Sequence, residues 1–167
     1  GNKAFSNSAI NFISIPSKVT QIGDECFGEC MQLKTIELSD DSELCSFSEK
    51  LFYCCGIESI FIPPKCERFG FGWCSNTYNL NSISVSPLNS HFKCIDDKFV
   101  VGKSDQSIEI FDTLVFACRN IKEFILPSYI KKIRTYAFNE RFNLKKITIS
   151  KDSQLQSIGN FSFYKTL

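Results

Sequence analysis

One histidine and nine cysteines are the residues of this chain with the most reactive side chains. The single imidazole, His91, sets a hard limit. It cannot build a multi-histidine metal site, and any Cys–His or Ser–His pair would have to use it. Ser90 and Cys94 are the nucleophiles beside it, and no third group stands at a recognisable spacing to orient it. His91 therefore reads as a surface or turn residue. Cys26-x3-Cys30 has no second pair and no histidine set at zinc-ligand spacing. Asp40-Asp41, Glu43 and Asp96-Asp97 lack the regular oxygen-ligand spacing of a calcium loop. Gly23, Gly70 and Gly159 stand outside any phosphate-binding loop and are expected to make tight bends. Asn160-Phe161-Ser162 is a glycosylation sequon whose Phe161, with Phe163 beyond it, is expected to be partly buried. The expectation from all of these is no catalytic residue, no metal, no cofactor and no enzyme.

Composition narrows the classes further. The chain has 167 residues, with 19 Lys plus Arg against 18 Asp plus Glu, a net charge of +1. Electrostatically driven binding to nucleic acid or an anionic membrane needs a strong positive excess, so neither is expected. Hydrophobic residues make up 43%, enough for a core. No apolar run approaches the roughly 20 residues of a membrane span, and no secretory leader opens the chain. Phe and Ile number 17 and 19, whereas Ala, Val and Met number 4, 5 and 1. Ile and Phe favour strands and Ala and Met favour helices, so β structure is expected.

The elements that must carry these side chains are repeats. Ile10-x-x-Ile13-x-Ile15 recurs as Leu33-x-x-Ile36-x-Leu38, Ile57-x-x-Ile60-x-Ile62, Leu80-x-x-Ile83-x-Val85, Ile121-x-x-Phe124-x-Leu126 and Leu144-x-x-Ile147-x-Ile149. The middle residues step by 23, 24, 23, 41 and 23. A second column holds Val19-x-x-Ile22, Leu44-x-x-Phe47, Cys66-x-x-Phe69, Ile130-x-x-Ile133 and Leu155-x-x-Ile158. A third is a small residue before Phe, as in Ala4-Phe5, Cys26-Phe27, Ala137-Phe138 and Ser162-Phe163, with Leu51-Phe52 and Trp73-Cys74 as variants. Corners alternate between Pro (Ile15-Pro16-Ser17, Ile62-Pro63-Pro64, Leu126-Pro127-Ser128) and Asp/Ser runs (39–42, 150–153), both turn chemistries. One such turn cannot bury its own Ile and Phe, but stacked turns build continuous ladders of each. Most cysteines fall in or near these columns and read as small ladder hydrophobes. An odd number leaves at least one unpaired.

The phrase IPSKVTQIGDECFGECMQLKTIEL (15–38) resembles the BspA-like leucine-rich repeats, found in surface proteins of some oral bacteria and of parasitic protists. It recurs at 126–149 and, degenerate, at 62–85. The expected fold is a β-rich solenoid of leucine-rich repeats of about 23 residues. Six to seven turns would present a parallel sheet on one face, with one β-hairpin insertion. Residues 1–167 are expected to form a single domain, part of a longer array. The 41-residue step places the insertion within 86–120. Short β-like runs at Phe92–Ile95, Lys98–Val101, Ile108–Phe111 and Leu114–Ala117 suggest a small hairpin projecting from the stack.

The x positions of I-x-x-I-x-I point away from the core. Before the middle apolar residue they are Phe12, Thr35, Ser59, Ser82, Glu123 and Lys146. After it they are Ser14, Glu37, Phe61, Ser84, Ile125 and Thr148. Outward Phe12, Phe61 and Ile125 among hydroxyls mark a contact surface for a ligand. The resemblance implies a non-enzymatic protein-recognition or adhesion module of a cell-surface or secreted protein. Its partner would be a protein or host-surface ligand, without membrane insertion in this segment. The alternatives are a structural spacer in a surface array, a cytoplasmic protein-binding scaffold, and end-to-end self-association.

Overall fold

In a computed structural model, which describes residues 1–166, the chain forms thirteen strands of two to five residues, with no helix among the described residues. It divides into two compact units, Gly1–Ser90 and His91–Leu167.

The first unit holds β1 (Phe12–Ser14), β2 (Thr35–Glu37), β3 (Ser46–Phe47), β4 (Ser59–Ile62), β5 (Arg68–Phe69) and β6 (Ser82–Val85). Pairing is parallel, with like residue on like: Ile13 opposite Ile36 in β1–β2, Ile60 opposite Ile83 in β4–β6, and Phe47 opposite Phe69 in β3–β5. The Glu58 N–H donates to Lys34 O at 3.3 Å, so the turns of β2 and β4 are also consecutive. This is the register that the 23-residue period demands. Each turn stacks on an equivalent one, and its apolar set meets the next apolar set. Leu33, Ile57, Ile62, Leu80 and Ile83 are completely buried. Each side chain of this kind stabilises by about 1.5–3 kcal/mol relative to an exposed one.

The third side of each turn has no strand and carries the aromatic column. Phe5 stacks on Phe27 at 5.5 Å and Phe27 on Phe52 at 5.9 Å. In the next turn the ring shifts by one residue. Trp73 meets Phe52 edge-on at 6.2 Å and also contacts Phe47 and Phe69, while Cys74 takes the Phe position. The main chain runs turn to turn through Phe5 N–H to Cys26 O, Phe27 N–H to Leu51 O and Phe52 N–H to Trp73 O, at 2.9, 3.0 and 2.7 Å. To make these bonds the corner bends through two left-handed residues four apart: Lys3 and Asn7, Glu25 and Glu29, Lys50 and Cys54, Gly72 and Asn76. Only one of the eight is glycine, so the ladder holds the others in a region that costs an L-residue roughly 1–2 kcal/mol.

Three glycines read from the sequence as bends have another role. Gly23, Gly70 and Gly159 do not have positive φ. Each lies against the backbone of the preceding turn: Gly23 on Asn2, Gly70 on Glu49 and Gly159 on Thr135. The absent Cβ permits close approach of two main chains.

None of the nine cysteines forms a disulfide, and Cys26, Cys30, Cys55, Cys66, Cys74 and Cys118 are buried. Burial pushes the Cys66 thiol up to about 12 and the Cys55 thiol to about 11. Both stay protonated at neutral pH and are weak nucleophiles. The column that holds Cys30 and Cys55 has a polar purpose as well. Cys30 Sγ donates to Phe5 O at 2.9 Å, Thr77 Oγ1 to Phe52 O at 2.6 Å and Thr166 Oγ1 to Phe138 O at 3.2 Å. A donor at this position satisfies the carbonyl of the stacked Phe one turn earlier, which buried backbone requires.

The second unit holds β7 (Phe92–Ile95), β8 (Phe99–Gly102), β9 (Thr113–Ala117), β10 (Glu123–Leu126), β11 (Lys132–Ile133), β12 (Lys146–Ile149) and β13 (Ser157–Ile158). β10 pairs parallel with β12, and β13-β11-β9-β8-β7 form one sheet. The inserted hairpin is β7–β8, antiparallel, and β8 pairs antiparallel with β9. Two features differ from the sequence reading. Ile108–Phe111 is not a strand, and the insertion is built into the core rather than projecting. β9 pairs parallel with β11, Leu114 opposite Ile133, so it supplies the second-column strand of its turn. Phe99, Val100, Val101, Leu114 and Phe116 are buried, and Phe99 lies 4.3 Å from Phe124. The apolar run of 108–111 is instead a loop edge, with Phe111 under the ammonium groups of Lys93 and Lys103 at 4.5 and 5.3 Å.

Asp112 latches that loop. Its buried carboxylate accepts the Ser104 N–H and hydroxyl, both at 2.8 Å, and pairs with Lys131 at 3.5 Å. Burial pushes the carboxyl up, but the Ser104 donors and then the Lys131 charge outweigh it and hold the group below its ordinary range. A carboxyl lowered in the folded state adds stability above its unfolded pKa of about 3.9, which is lost as pH falls through the folded value. Asp112→Asn is therefore expected to cost about 1–3 kcal/mol at pH 7. In urea titrations the gap from wild type should close below about pH 4. An equal gap at pH 3 would show that charge plays no part.

At the corner after β11 the small-donor column takes an arginine. Arg141 is 1% exposed. Its guanidinium lies over the Phe116 ring at 4.8 Å and donates to the carbonyls of Ala117 and Asn139. Arg119 donates to Asn139 O at 2.5 Å and pairs with the equally buried Glu140 at 3.6 Å.

Candidate functional site

Inner parallel strands alternate between core and solvent, whereas in β12 only Ile147 is half-buried and in β13 both residues are exposed. In β10 the pattern is Glu123 out, Phe124 in, Ile125 out and Leu126 in. In β2 it is Thr35 out, Ile36 in and Glu37 out. The period-2 geometry of a strand makes this unavoidable once one face packs on the core.

The structure places the sequence-derived columns accordingly. In the first unit Phe12, Ser14, Thr35, Glu37, Ser59, Ser82 and Ser84 are exposed and Phe61 is half-buried. Phe12 stands opposite Thr35, Ser14 opposite Glu37, Ser59 opposite Ser82 and Phe61 opposite Ser84. In the second unit Glu123, Ile125, Lys146 and Thr148 are all exposed, with Glu123 opposite Lys146 and Ile125 opposite Thr148. Phe12 is 53% and Ile125 72% exposed. Each unit thus presents one exposed large apolar side chain in these columns, among hydroxyls and Glu37 in the first and among Glu123, Lys146 and Thr148 in the second, on a backbone pinned by ladder hydrogen bonds. Chemically this surface can exclude water around an apolar anchor and offer hydroxyl donors beside it. It contains no nucleophile–base pair.

Other candidate groups lie apart from it. His91 is half-buried at the start of the second unit. No group of three or more His, Cys, Asp or Glu among the described residues could hold a metal ion. No helix among them is long and apolar enough to cross a membrane. A depression of about 320 Å³ on β3–β5 is lined by Asp24, Ser46, Phe47, Ser48, Glu49, Arg68 and Gly70. At the sequon Asn160 is exposed, and Phe161 is 57% exposed rather than partly buried, its ring on Tyr136. Ser162 is the buried member, its hydroxyl donating to Arg134 O at 3.1 Å.

Stacked parallel turns, aromatic and aliphatic ladders and an outward strand face define a leucine-rich-repeat solenoid. The chain belongs to the BspA type leucine rich repeat region family, whose model matches six copies over residues 1–114 and 100–167. Among solved structures it is similar to the pneumococcal vaccine antigen PcpA, at 24% identity and a TM-score of 0.83, over 99% of this chain and 39% of that one. It is also similar to a leucine rich cell surface protein of Faecalibacterium prausnitzii, at 25% identity and a TM-score of 0.72, over 90% and 38%. A leucine-rich repeat protein of Eubacterium ventriosum matches at 22% identity and a TM-score of 0.70, over 93% and 45%. This chain therefore spans under half the length of these solved relatives. No curated protein matches it. The family is a repeat scaffold of the kind that binds proteins.

Proposed function

We propose that the chain is a non-enzymatic recognition module of a cell-surface or secreted protein, used in adhesion, and that its partner protein docks on the outward strand columns. The observation that carries this is the pair of solvent-exposed anchors, Phe12 and Ile125, on strands whose alternate residues turn inward, Ile13 half-buried and Phe124 and Leu126 buried. An exposed aromatic or aliphatic anchor ringed by polar groups is the usual centre of a protein contact, and a rigid scaffold saves the cost of ordering it. Likeness to a protein described as a cell surface protein supports the location.

The test is binding of the purified chain to cultured host cells and immobilised extracellular-matrix proteins, beside Phe12→Ser/Ile125→Ser. Saturable binding that weakens tenfold or more in the variant, with an unchanged melting temperature, is expected. Undiminished binding would remove the strand face as the site.

A second reading, a cytoplasmic protein-binding scaffold, is favoured by nine cysteines without a disulfide, which suit a reducing compartment. Antibody labelling of intact cells separates the two. Surface labelling supports the adhesion module, and labelling only after permeabilisation supports the scaffold.

A further inference from the structure

The net charge of +1 conceals an uneven division. Residues 1–90 carry 6 Lys plus Arg against 10 Asp plus Glu, a net −4. Residues 91–167 carry 13 against 8, a net +5. The difference has a local expression on the repeat. At the position two residues before the inward strand residue, the first unit stacks Lys34 and Glu58, which pair at 3.3 Å. The second unit stacks Lys122 and Lys145 in the same place, joined by the Lys145 N–H to Lys122 O bond at 2.8 Å. Lys146 follows directly, opposite Glu123. All three lysines are exposed, and none takes part in an ion pair among the described residues. Neighbouring parallel strands lie about 4.8 Å apart, and like charges directly opposite one another destabilise a pair. Where the first unit neutralises this position, the second leaves it charged.

We infer that Lys122, Lys145 and Lys146 form a binding site for an acidic polysaccharide, one bearing sulfate or carboxylate groups on successive sugars. The rise of one pyranose ring along a chain is similar to one step of the solenoid, so successive anionic groups meet successive lysines. Exposed Asn120 and Asn143 flank the lysines on the two turns and offer amides to sugar hydroxyls. Phe142, next to Asn143 in sequence and 43% exposed, adds apolar surface. Three lysines with one carboxylate among them are too few for the other polyanions. Anionic lipid surfaces are recognised by clusters of about 4–8 cations, and affinity for a duplex grows with each phosphate neutralised. Lys146 also lies in the outward columns, whereas Lys122 and Lys145 precede the strands, so substitutions at these two test the site separately from Phe12 and Ile125.

The probes are a heparin octasaccharide, neutral dextran, a single-stranded DNA oligonucleotide and phosphatidylserine vesicles, titrated against the whole chain and against Lys122→Gln/Lys145→Gln. Heparin is expected to bind saturably and dextran not at all. The variant should lose about tenfold in heparin affinity, and its log affinity–log salt slope should fall by about 2, one for each lysine removed. Its melting temperature should stay level or rise, because a like-charge pair has gone. Three outcomes would overturn the inference: no heparin binding, heparin binding untouched in the variant, or equally tight binding of DNA or vesicles through the same lysines.

Discussion

Phe47→Ala is expected to destabilise the chain by about 3–5 kcal/mol, read as a lower urea midpoint at unchanged slope. Phe47 is completely buried and meets three other rings: Phe69 at 5.6 Å, Phe52 at 5.8 Å and Trp73 at 5.4 Å. With Phe69, which stacks on Trp73 at 5.1 Å, it joins the second-column ladder to the aromatic column. Removing its ring forfeits burial of a large side chain, three aromatic contacts, and the filling of a site whose walls are fixed by β3–β5 hydrogen bonds. A solenoid relaxes poorly around such a loss, because each turn is held in register by its neighbours. A cost below about 1 kcal/mol would mean that the aromatic column does not hold the turns together.

Gly70→Ala is expected to cost about 3 kcal/mol, a large penalty for one methyl group. The added Cβ would sit 2.5 Å from Glu49 N and 2.6 Å from Ser48 C, both main-chain atoms. Gly70 cannot retreat cheaply, since its N–H donates to Phe47 O at 2.7 Å. Gly72→Ala is the control. That residue has φ of +60° and its Cβ would meet a side-chain oxygen, so only the backbone preference is lost, about 1 kcal/mol. A cost at Gly70 no larger than that at Gly72 would show that the close approach of two main chains is not why glycine stands at 70.

The repeat itself was legible because stacking forces like onto like. Ile13 on Ile36 and Ile60 on Ile83 are register pairs that the 23- and 24-residue steps already contain. The outward columns were legible for the same reason, as a strand has a period of two. The corner geometry was not. Lys, Asn, Glu, Cys and Tyr all take positive φ there, so no residue type marks it; turn-to-turn hydrogen bonds impose it. The glycines stood out by position, but the contact across turns that explains them is long-range. The alternation of 108–111 looked strand-like, yet its Phe111 is satisfied by two lysines, one in β7 and one just past β8, rather than by a partner strand. Arg141 was hidden because a charged residue replaces a small donor while serving the same carbonyls. The lysine pair at 122 and 145 was masked by a whole-chain charge near zero.

Recognition by the strand face rests on one strand serving two masters: its inward residues hold the fold while its outward residues stay free for a partner. Urea unfolding of Phe124→Ala beside Ile125→Ser tests this on adjacent residues of β10. Phe124 is 7% exposed and packs on Phe99 and Phe138, whereas Ile125 is 72% exposed. Phe124→Ala should lose about 3–5 kcal/mol, and Ile125→Ser about 0.5 kcal/mol or less. A loss near 3 kcal/mol at Ile125 would place that side chain in the core and remove the surface on which binding is proposed.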